Sequence, residues 1–390
     1  MESNEVKRIT VLGSTGSIGL SALDVIRHNP GRFEAVALSC HTCTSTLSRQ
    51  AEDFNPLAVA VTGYPESTFL KDFPVLQNLT LYAGEEGLLR MIEEIPSNIV
   101  LNGIAGSSGL TPSVKSIEAG RDLALANKET IVMAGPYILE LARSKGVRIL
   151  PVDSEHSALF NLMGVIKRNS VAEIILTASG GAFRDLTARD LERVNPRDAL
   201  QHPTWDMGPK ITIDSATMAN KGLEVIEAMH LFQMDVNRIK VLIHPQSYVH
   251  AMVRTVEGSL YAQVSIPDMR IPIQNALSYP EILNSRVAPL DLEGKSLTFL
   301  PWESNKYPML SLAYEAAEGG GSSPIVYNAA NEVAVQAFLA ERIRFTEISR
   351  VVAHALAVNV QCDVTSIEEI LDIDRKSRQI AEAYIEDHPI

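Results

Sequence analysis

Over the first 150 residues, short apolar runs alternate with segments whose apolar residues recur at helical spacing. The runs at 9–12, 35–38, 57–61, 98–101, 122–125 and 147–150 read as strands. Between them, 18–27, 87–94 and 129–144 read as helices, the last stopped by Gly146. Such alternation predicts a parallel sheet with helices on both faces. From about 151 the pattern changes. A helix is expected after Asp153, a strand at 173–178, then a long polar stretch over about 180–210. After a helix at 222–232, runs at 238–243, 248–254 and 259–264 predict an antiparallel sheet, making this half α+β. Residues 286–305, with Pro289, Gly294 and Pro301, read as a linker, and helical spacing returns at 307–318, 324–340, 346–359 and 367–385. The expected organisation is an α/β parallel-sheet domain over 1–150, an α+β domain over 151–285 with a flexible flap, the linker, and a small all-α domain over 306–390.

The length of 390 residues suits two or three domains, and 46% hydrophobic with 21% charged residues suits a full core. The net charge of −13 argues against nucleic acid or an anionic membrane as the main partner. An anionic ligand must therefore be met by a local pocket of donors. No run approaches the roughly 18 apolar residues of a membrane span. The polar, acidic start reads as neither signal nor transit peptide, and three cysteines make no disulfide framework, so a cytoplasmic protein is expected. Cys40-His41-Thr42-Cys43 lacks partners for a four-ligand metal site and reads as loop residues after a strand.

Chemistry enters at Gly13-Ser14-Thr15-Gly16-Ser17-Ile18-Gly19, which follows the first strand and opens a helix. Glycines there let the backbone approach a pyrophosphate at the helix N-terminus, although the spacing is GxxGxxG rather than GxGxxG. After the second strand, residues 39–45 hold neither an acid for a ribose 2′-hydroxyl nor a Lys or Arg for a 2′-phosphate. That favours NADP modestly, with hydroxyls, backbone amides, His41 or Arg49 as donors. Asp153-Ser154-Glu155 at a strand-to-helix corner could turn two carboxylates on a hard cation. Read locally, a helix cap with a first-turn acid is the more ordinary account, and the same holds for Glu224. His156 reads as structural rather than as a fourth ligand. Ser179, followed by two glycines, and Ser215, Asn220 and Lys221 offer donors suited to a phosphate dianion. The run 202–208, with Trp205, Met207 and Gly208, lies in a stretch long enough to be a lid.

Together these runs closely resemble the 1-deoxy-D-xylulose 5-phosphate reductoisomerase family. The matching runs are GSTGSIG at 13–19, ANKE at 126–129, DSEH at 153–156, SGGAFRD at 179–185, HPTWDMG at 202–208 and DSATMANKGLEVIEA at 214–228. IHPQS at 243–247, PDMR at 267–270 and NAANEVAVQAFL at 328–339 complete them, in family order over nearly the whole chain. The resemblance implies a Rossmann-like NADPH-binding domain, a metal- and substrate-binding catalytic domain, a C-terminal helical domain and a homodimer. It implies that Asp153, Glu155 and Glu224 bind Mg²⁺ or Mn²⁺, with Co²⁺ as a further option, against the local preference for caps. It implies cofactor contacts at Thr15, Gly16, Ser17, Ile18, Asn127, Glu129 and Gly208. Substrate contacts are implied at Lys128, Ser154, Glu155, Ser179, His202, Ser215, Asn220, Lys221 and Glu224, with Lys128 and His202 joining the three acids as catalytic residues. Trp205 and Met207 would sit on the closing flap. The implied reaction rearranges 1-deoxy-D-xylulose 5-phosphate, by retro-aldol cleavage or an α-ketol shift, and reduces the aldehyde to 2-C-methyl-D-erythritol 4-phosphate in non-mevalonate isoprenoid precursor synthesis. His41-Thr42-Cys43 departs from the family's basic turn and leaves the strength of NADP preference open. Two rival classes are a sugar-phosphate or semialdehyde dehydrogenase, which needs no three-carboxylate site, and a non-catalytic NADP-sensing protein, which needs no phosphate donors.

Overall fold

Runs such as Ala58–Val61 have no wet face, and a strand without one needs cover on both sides. In the structure, a computed structural model describing residues 6–64, 79–201 and 207–388, such runs lie side by side in one parallel sheet. Its strands are β1 (Lys7–Leu12), β2 (Phe33–Cys40), β3 (Ala58–Val61), β4 (Thr80–Ala83), β5 (Ile99–Asn102), β6 (Asp122–Leu125) and β7 (Ile149–Pro151). Their order is β4-β3-β2-β1-β5-β6-β7, all parallel. The order reverses between β1 and β5, and a crevice for ligand opens at the carboxyl ends of strands around such a switch. Leu88, Met91 and Ile92 of the helix Gly84–Glu94 pack on Val36, Ala58, Ala60 and Val100.

The chain divides into two units. The first comprises Met1–Asn127, Ile138–Ser157 and Asp268–Ala288; the second comprises Lys128–Tyr137, Ala158–Pro267 and Pro289–Ile390. The return of 268–288 to the first unit had no signal in the hydrophobic pattern. Its helix Arg270–Ser278 is tied there by Arg270 to Asp24 at 3.1 Å, and by Lys7 Nζ donating to the carbonyls of Leu277 and Tyr279 at 3.1 and 2.8 Å.

The second unit is built on a four-stranded sheet of β8 (Val171–Ala178), β9 (Ile239–Ile243), β10 (Val249–Thr255) and β11 (Leu260–Val264), in the order β11-β10-β8-β9. The expected antiparallel sheet is corrected in one place. β10 runs antiparallel to β8 and β11, but β9 pairs with β8 in parallel, Ile174 opposite Ile239. The intervening chain carries the helices Pro209–Thr217 and Ala219–Leu231, enough to cross over and enter from the same end. Leu223 and Ile226 share one core with Ile174 and Leu176 of β8 and with Tyr327 and Phe338 of the helix Ser323–Leu339. That helix is buried nearly all round, so the helices beyond residue 306 pack into the same core as the mixed sheet. Among the described residues, no helix is long and apolar enough to cross a membrane.

Candidate active site

In the first unit the glycine run leaves β1 and turns sharply. Gly13 has φ +72°, and a Cβ there would stand 3.0 Å from the Gly103 carbonyl just beyond β5. Gly19 passes closer still: its Cβ would lie 2.4 Å from the Gly13 carbonyl oxygen and the Ser14 Cα. Neutral hydrogen bonds hold the turn. Gly13 N donates to Ser39 Oγ (3.1 Å), Ser14 N to the Ser39 carbonyl (2.8 Å), and Ser14 Oγ to Gln50 Oε1 (2.7 Å). The helix Ser17–His28 begins at Gly16 with no side-chain cap and no acid in its first turn, and Gly16 and Ser17 are exposed. Its N-terminal amides thus face outward with favourable dipole, as an anion requires. Thr15 and Ile18 flank them, half-buried. Asn127 is buried, its amide donating to the carbonyls of Ile104 and Gly106 at 2.7 Å each, so it braces the chain after β5.

Asp153, Ser154 and Glu155 follow β7 at the start of the helix Ser154–Val165. Asp153 Oδ1 accepts from the Glu155 amide at 3.2 Å, so it caps this helix, and Nδ1 of the fully buried His156 lies 3.1 Å from the same oxygen. A carboxylate has about four lone-pair sites, so capping and cation binding are compatible roles. Ser154 Oγ donates to Glu155.

In the second unit, Glu224 sits on the helix Ala219–Leu231 with 1% of its side chain exposed. Oε1 accepts from Lys128 Nζ at 3.1 Å and from Asn220 Nδ2 at 2.6 Å, and Oε2 pairs with Lys221. Lys128 reaches it because the helix Lys128–Lys145 packs by a glycine: a Cβ on Gly135 would stand 2.5 Å from the His230 ring. Burial pushes His230 down to about 4, so it packs as a neutral ring. Two ammonium groups meet this one buried carboxylate, which places cationic donors locally in an acidic chain.

Ser179 follows β8 and accepts from the Gly181 amide at 3.2 Å. Gly181, at φ +71°, has no room for a Cβ, which would fall 2.5 Å from the Ser215 carbonyl. This packs the turn after Ser179 against the Ser215 backbone. Met218, at φ +65°, then turns the chain from the helix Pro209–Thr217 into Ala219–Leu231, with Ser215 on one side of the corner and Asn220 and Lys221 on the other. Gly208 is the N-cap of Pro209–Thr217, and its carbonyl and that of Met207 accept from Thr212 Oγ1. His202 and Trp205 lie outside the described residues.

The residue the sequence reading missed is Lys210. It bonds Glu129 at 2.7 Å and Asp214 at 2.9 Å, and Asp214 also accepts from Asn331 at 2.8 Å. Burial would raise the Glu129 carboxyl, but the Lys210 charge outweighs it and holds the group below its ordinary range. For Lys210, burial is likewise overcome by Asp214, Glu129 and Glu332, which hold its ammonium well above the usual value. The i, i+4 spacing of Lys210 and Asp214 was the available signal. Cys40 closes β2 with its thiol pushed up to about 12, mainly by burial, while Cys43 and Cys362 are exposed, and all three are free.

A family model described as 1-deoxy-D-xylulose 5-phosphate reductoisomerase matches residues 9–135. Two further models, described as C-terminal domains of that enzyme, match 149–232 and 264–380. The 1-deoxy-D-xylulose 5-phosphate reductoisomerase of Desulfitobacterium hafniense is 46% identical over 374 residues, covering 96% of this chain and 98% of its own. That of Gloeobacter violaceus is 43% identical over 389 residues, covering 98% and 99%. A crystal structure of DOX-P reductoisomerase with NADPH, fosmidomycin and magnesium is similar at TM-score 0.90 and 38% identity, covering 98% of both chains. The Zymomonas mobilis enzyme in complex with NADPH is similar at TM-score 0.91 and 37% identity, covering 98% of this chain and 100% of its own. With its motifs in order and 96% of its length matched by a relative 46% identical, the chain belongs to the 1-deoxy-D-xylulose 5-phosphate reductoisomerase family.

Proposed function

We propose that Asp153, Glu155 and Glu224 hold Mg²⁺ or Mn²⁺, and that around this cation the chain converts 1-deoxy-D-xylulose 5-phosphate into 2-C-methyl-D-erythritol 4-phosphate. The enzyme is an NADPH-dependent reductoisomerase of non-mevalonate isoprenoid precursor synthesis. The observation that carries the site assignment is the buried Glu224 carboxylate, met by Lys128, Asn220 and Lys221. Burying charge costs several kcal/mol per ion, and a cluster of this kind is not needed to pack a helix. Three carboxylates form an all-oxygen donor set, which fits a hard divalent ion.

When bound, the cation polarises the ketone and neighbouring hydroxyl oxygens, and NADPH supplies the hydride. Lys221 and Asn220, with the hydroxyls of Ser179 and Ser215, take the phosphate through charge-assisted bonds and fix the sugar's far end. Lys128 binds a substrate hydroxyl and moves a proton at Nζ. Ser154 and His202 complete the substrate contacts, and Trp205 and Met207 exclude water. Thr15, Gly16, Ser17 and Ile18 receive the cofactor pyrophosphate, with Asn127, Glu129 and Gly208 as further contacts. In this reading 1–150 binds cofactor, 151–285 metal and substrate, and 306–390 forms a helical domain after the linker. The working form is a cytoplasmic homodimer.

An NADPH-consumption assay with 1-deoxy-D-xylulose 5-phosphate tests the proposal. Turnover should vanish in EDTA and return with added Mg²⁺, and 2-C-methyl-D-erythritol 4-phosphate should accumulate one for one with NADPH consumed. Activity that survives exhaustive chelation would count against the carboxylate trio and for a simple dehydrogenase.

A further inference from the structure

Two consecutive glycines in left-handed conformation, Gly180 at φ +85° and Gly181 at φ +71°, give the turn after β8 little stiffness of its own. Its shape has to be imposed by its neighbours, and the structure shows which ones. Tyr307 is 2% exposed at the start of the helix Pro308–Gly319, and its hydroxyl donates to the Gly180 carbonyl at 3.2 Å. The adjacent Lys306 donates to the Arg184 carbonyl, and Arg184 Nη1 donates to the Ser179 carbonyl at 3.2 Å. The Arg184 side chain also covers Gly180, where a Cβ would stand 2.8 Å from Arg184 Cγ. Phe183 is wedged edge-on against Phe345, with ring centroids 5.1 Å apart.

We propose that Tyr307 is a positioning residue for substrate phosphate binding, fixing the turn that presents Ser179 through its bond to the Gly180 carbonyl. The inference rests on the phosphate assignment made above. Burial pushes the Tyr307 hydroxyl up to about 12, so it remains a donor across the pH range of any assay. The phosphate does not react, so a contact to it is worth the same in ground and transition states. Loosening it should raise KM and leave kcat alone.

The test uses the full chain with Mg²⁺ and NADPH, the variants Tyr307→Phe and Lys221→Gln, and inorganic phosphate as a competitive probe. For Tyr307→Phe, KM for the sugar phosphate and the phosphate inhibition constant should rise together by roughly fivefold, the equivalent of one hydrogen bond. Its kcat should stay within about twofold, and NADPH affinity should not move. If Lys221→Gln raises both constants and Tyr307→Phe raises neither, the positioning role is overturned while the phosphate site stands. If neither variant changes phosphate inhibition, the phosphate assignment falls and takes the inference with it. A drop in kcat at unchanged KM also overturns the role. Should Tyr307→Phe not fold, Lys306→Met cuts the companion tie to Arg184 and should give the same KM split.

Discussion

The glycine turn of the seven-stranded unit is built from backbone and neutral groups, whereas the four-stranded unit buries a cluster of charges. Around the glycine turn the buried polar groups are Ser14, Ser39, Gln50, Asn102 and Asn127, all neutral. Among the described residues of the first unit, no Lys, Arg, Asp or Glu is buried. The second unit buries Lys128, Glu129, Asp214, Lys221, Glu224 and Glu227, and Asp374 in its last helix. A turn of amides at a helix end suits the pyrophosphate of any dinucleotide and asks little of individual side chains. Buried charges must compensate one another and are costly to leave unpaired, so a cluster of them suits a place where one substrate is recognised and polarised. Removing a buried charge should therefore hurt the second unit most.

The largest effect is expected at Glu224. Glu224→Gln keeps the shape and removes the charge, so kcat should fall by about a thousandfold or more at saturating Mg²⁺. NADPH affinity, read by fluorescence titration, should stay near wild type. A variant that turns over normally would erase the contrast between the units. Next comes Lys210→Met, which strips Glu129 and Asp214 of their shared cation and should cost about 3 kcal/mol or more of stability. Its pH dependence has a definite sign. The Glu129 carboxyl lies below its ordinary 4.5 in the folded chain, so its stabilising contribution is full above 4.5 and is lost as pH falls through the lower folded value. The Tm gap between wild type and variant should be constant near neutrality and narrow below pH 4.5. A gap that stays constant down to pH 3 would mean that the pair contributes through packing alone.

What could be read from sequence divides along the same line. Backbone function leaves a local signature: the glycines at 13, 16 and 19 follow an apolar run and open a helix, and they were found where the structure has them. The β4 strand Thr80–Ala83 went unread because it is an edge strand with only Tyr82 buried, so its pattern carries little burial signal. The parallel entry of β9 was missed because strand runs close together resemble hairpins, and only the crossover before β9 says otherwise. The charge cluster could be assembled locally only in part, Asn220 and Lys221 being readable as donors for a phosphate. Lys128 and Glu224 each look like ordinary helix residues, and Lys210 lies in the first turn of a helix that follows a polar stretch. Only family resemblance joined Lys128 and Glu224 to the donors, and Lys210 escaped even that.

Gly19→Ala probes the backbone side of the contrast. Its methyl group would press on the Gly13 carbonyl and the Ser14 Cα at 2.4 Å, backbone atoms with no rotamer to yield. Overpacking of this kind costs about 1–3 kcal/mol, so NADPH affinity should weaken about tenfold or more, with a lowered Tm. Wild-type affinity would show that the turn tolerates expansion and that close approach is not what binds the cofactor.

The smallest effect should come from a side chain in that same unit. His41 is exposed in the loop after β2, with Nδ1 2.9 Å from Thr62 Oγ1, and the loop itself is pinned by the Gly63 amide donating to the His41 carbonyl at 2.8 Å. Its neighbours in sequence are hydroxyl residues: Ser39, Thr42, Thr44 and Ser45 occupy the stretch where a Lys or Arg would be expected to meet a 2′-phosphate. If backbone and hydroxyl groups do the recognition, His41→Ala should raise KM for NADPH by less than about threefold and barely move the NADPH-to-NADH ratio. A charge-assisted contact from the imidazole would instead be worth about tenfold, lost with NADPH and not with NADH. Such a selective loss would place a charged side chain at the centre of cofactor choice, and the division between a turn that binds with backbone and a buried cluster that binds with charge would no longer hold.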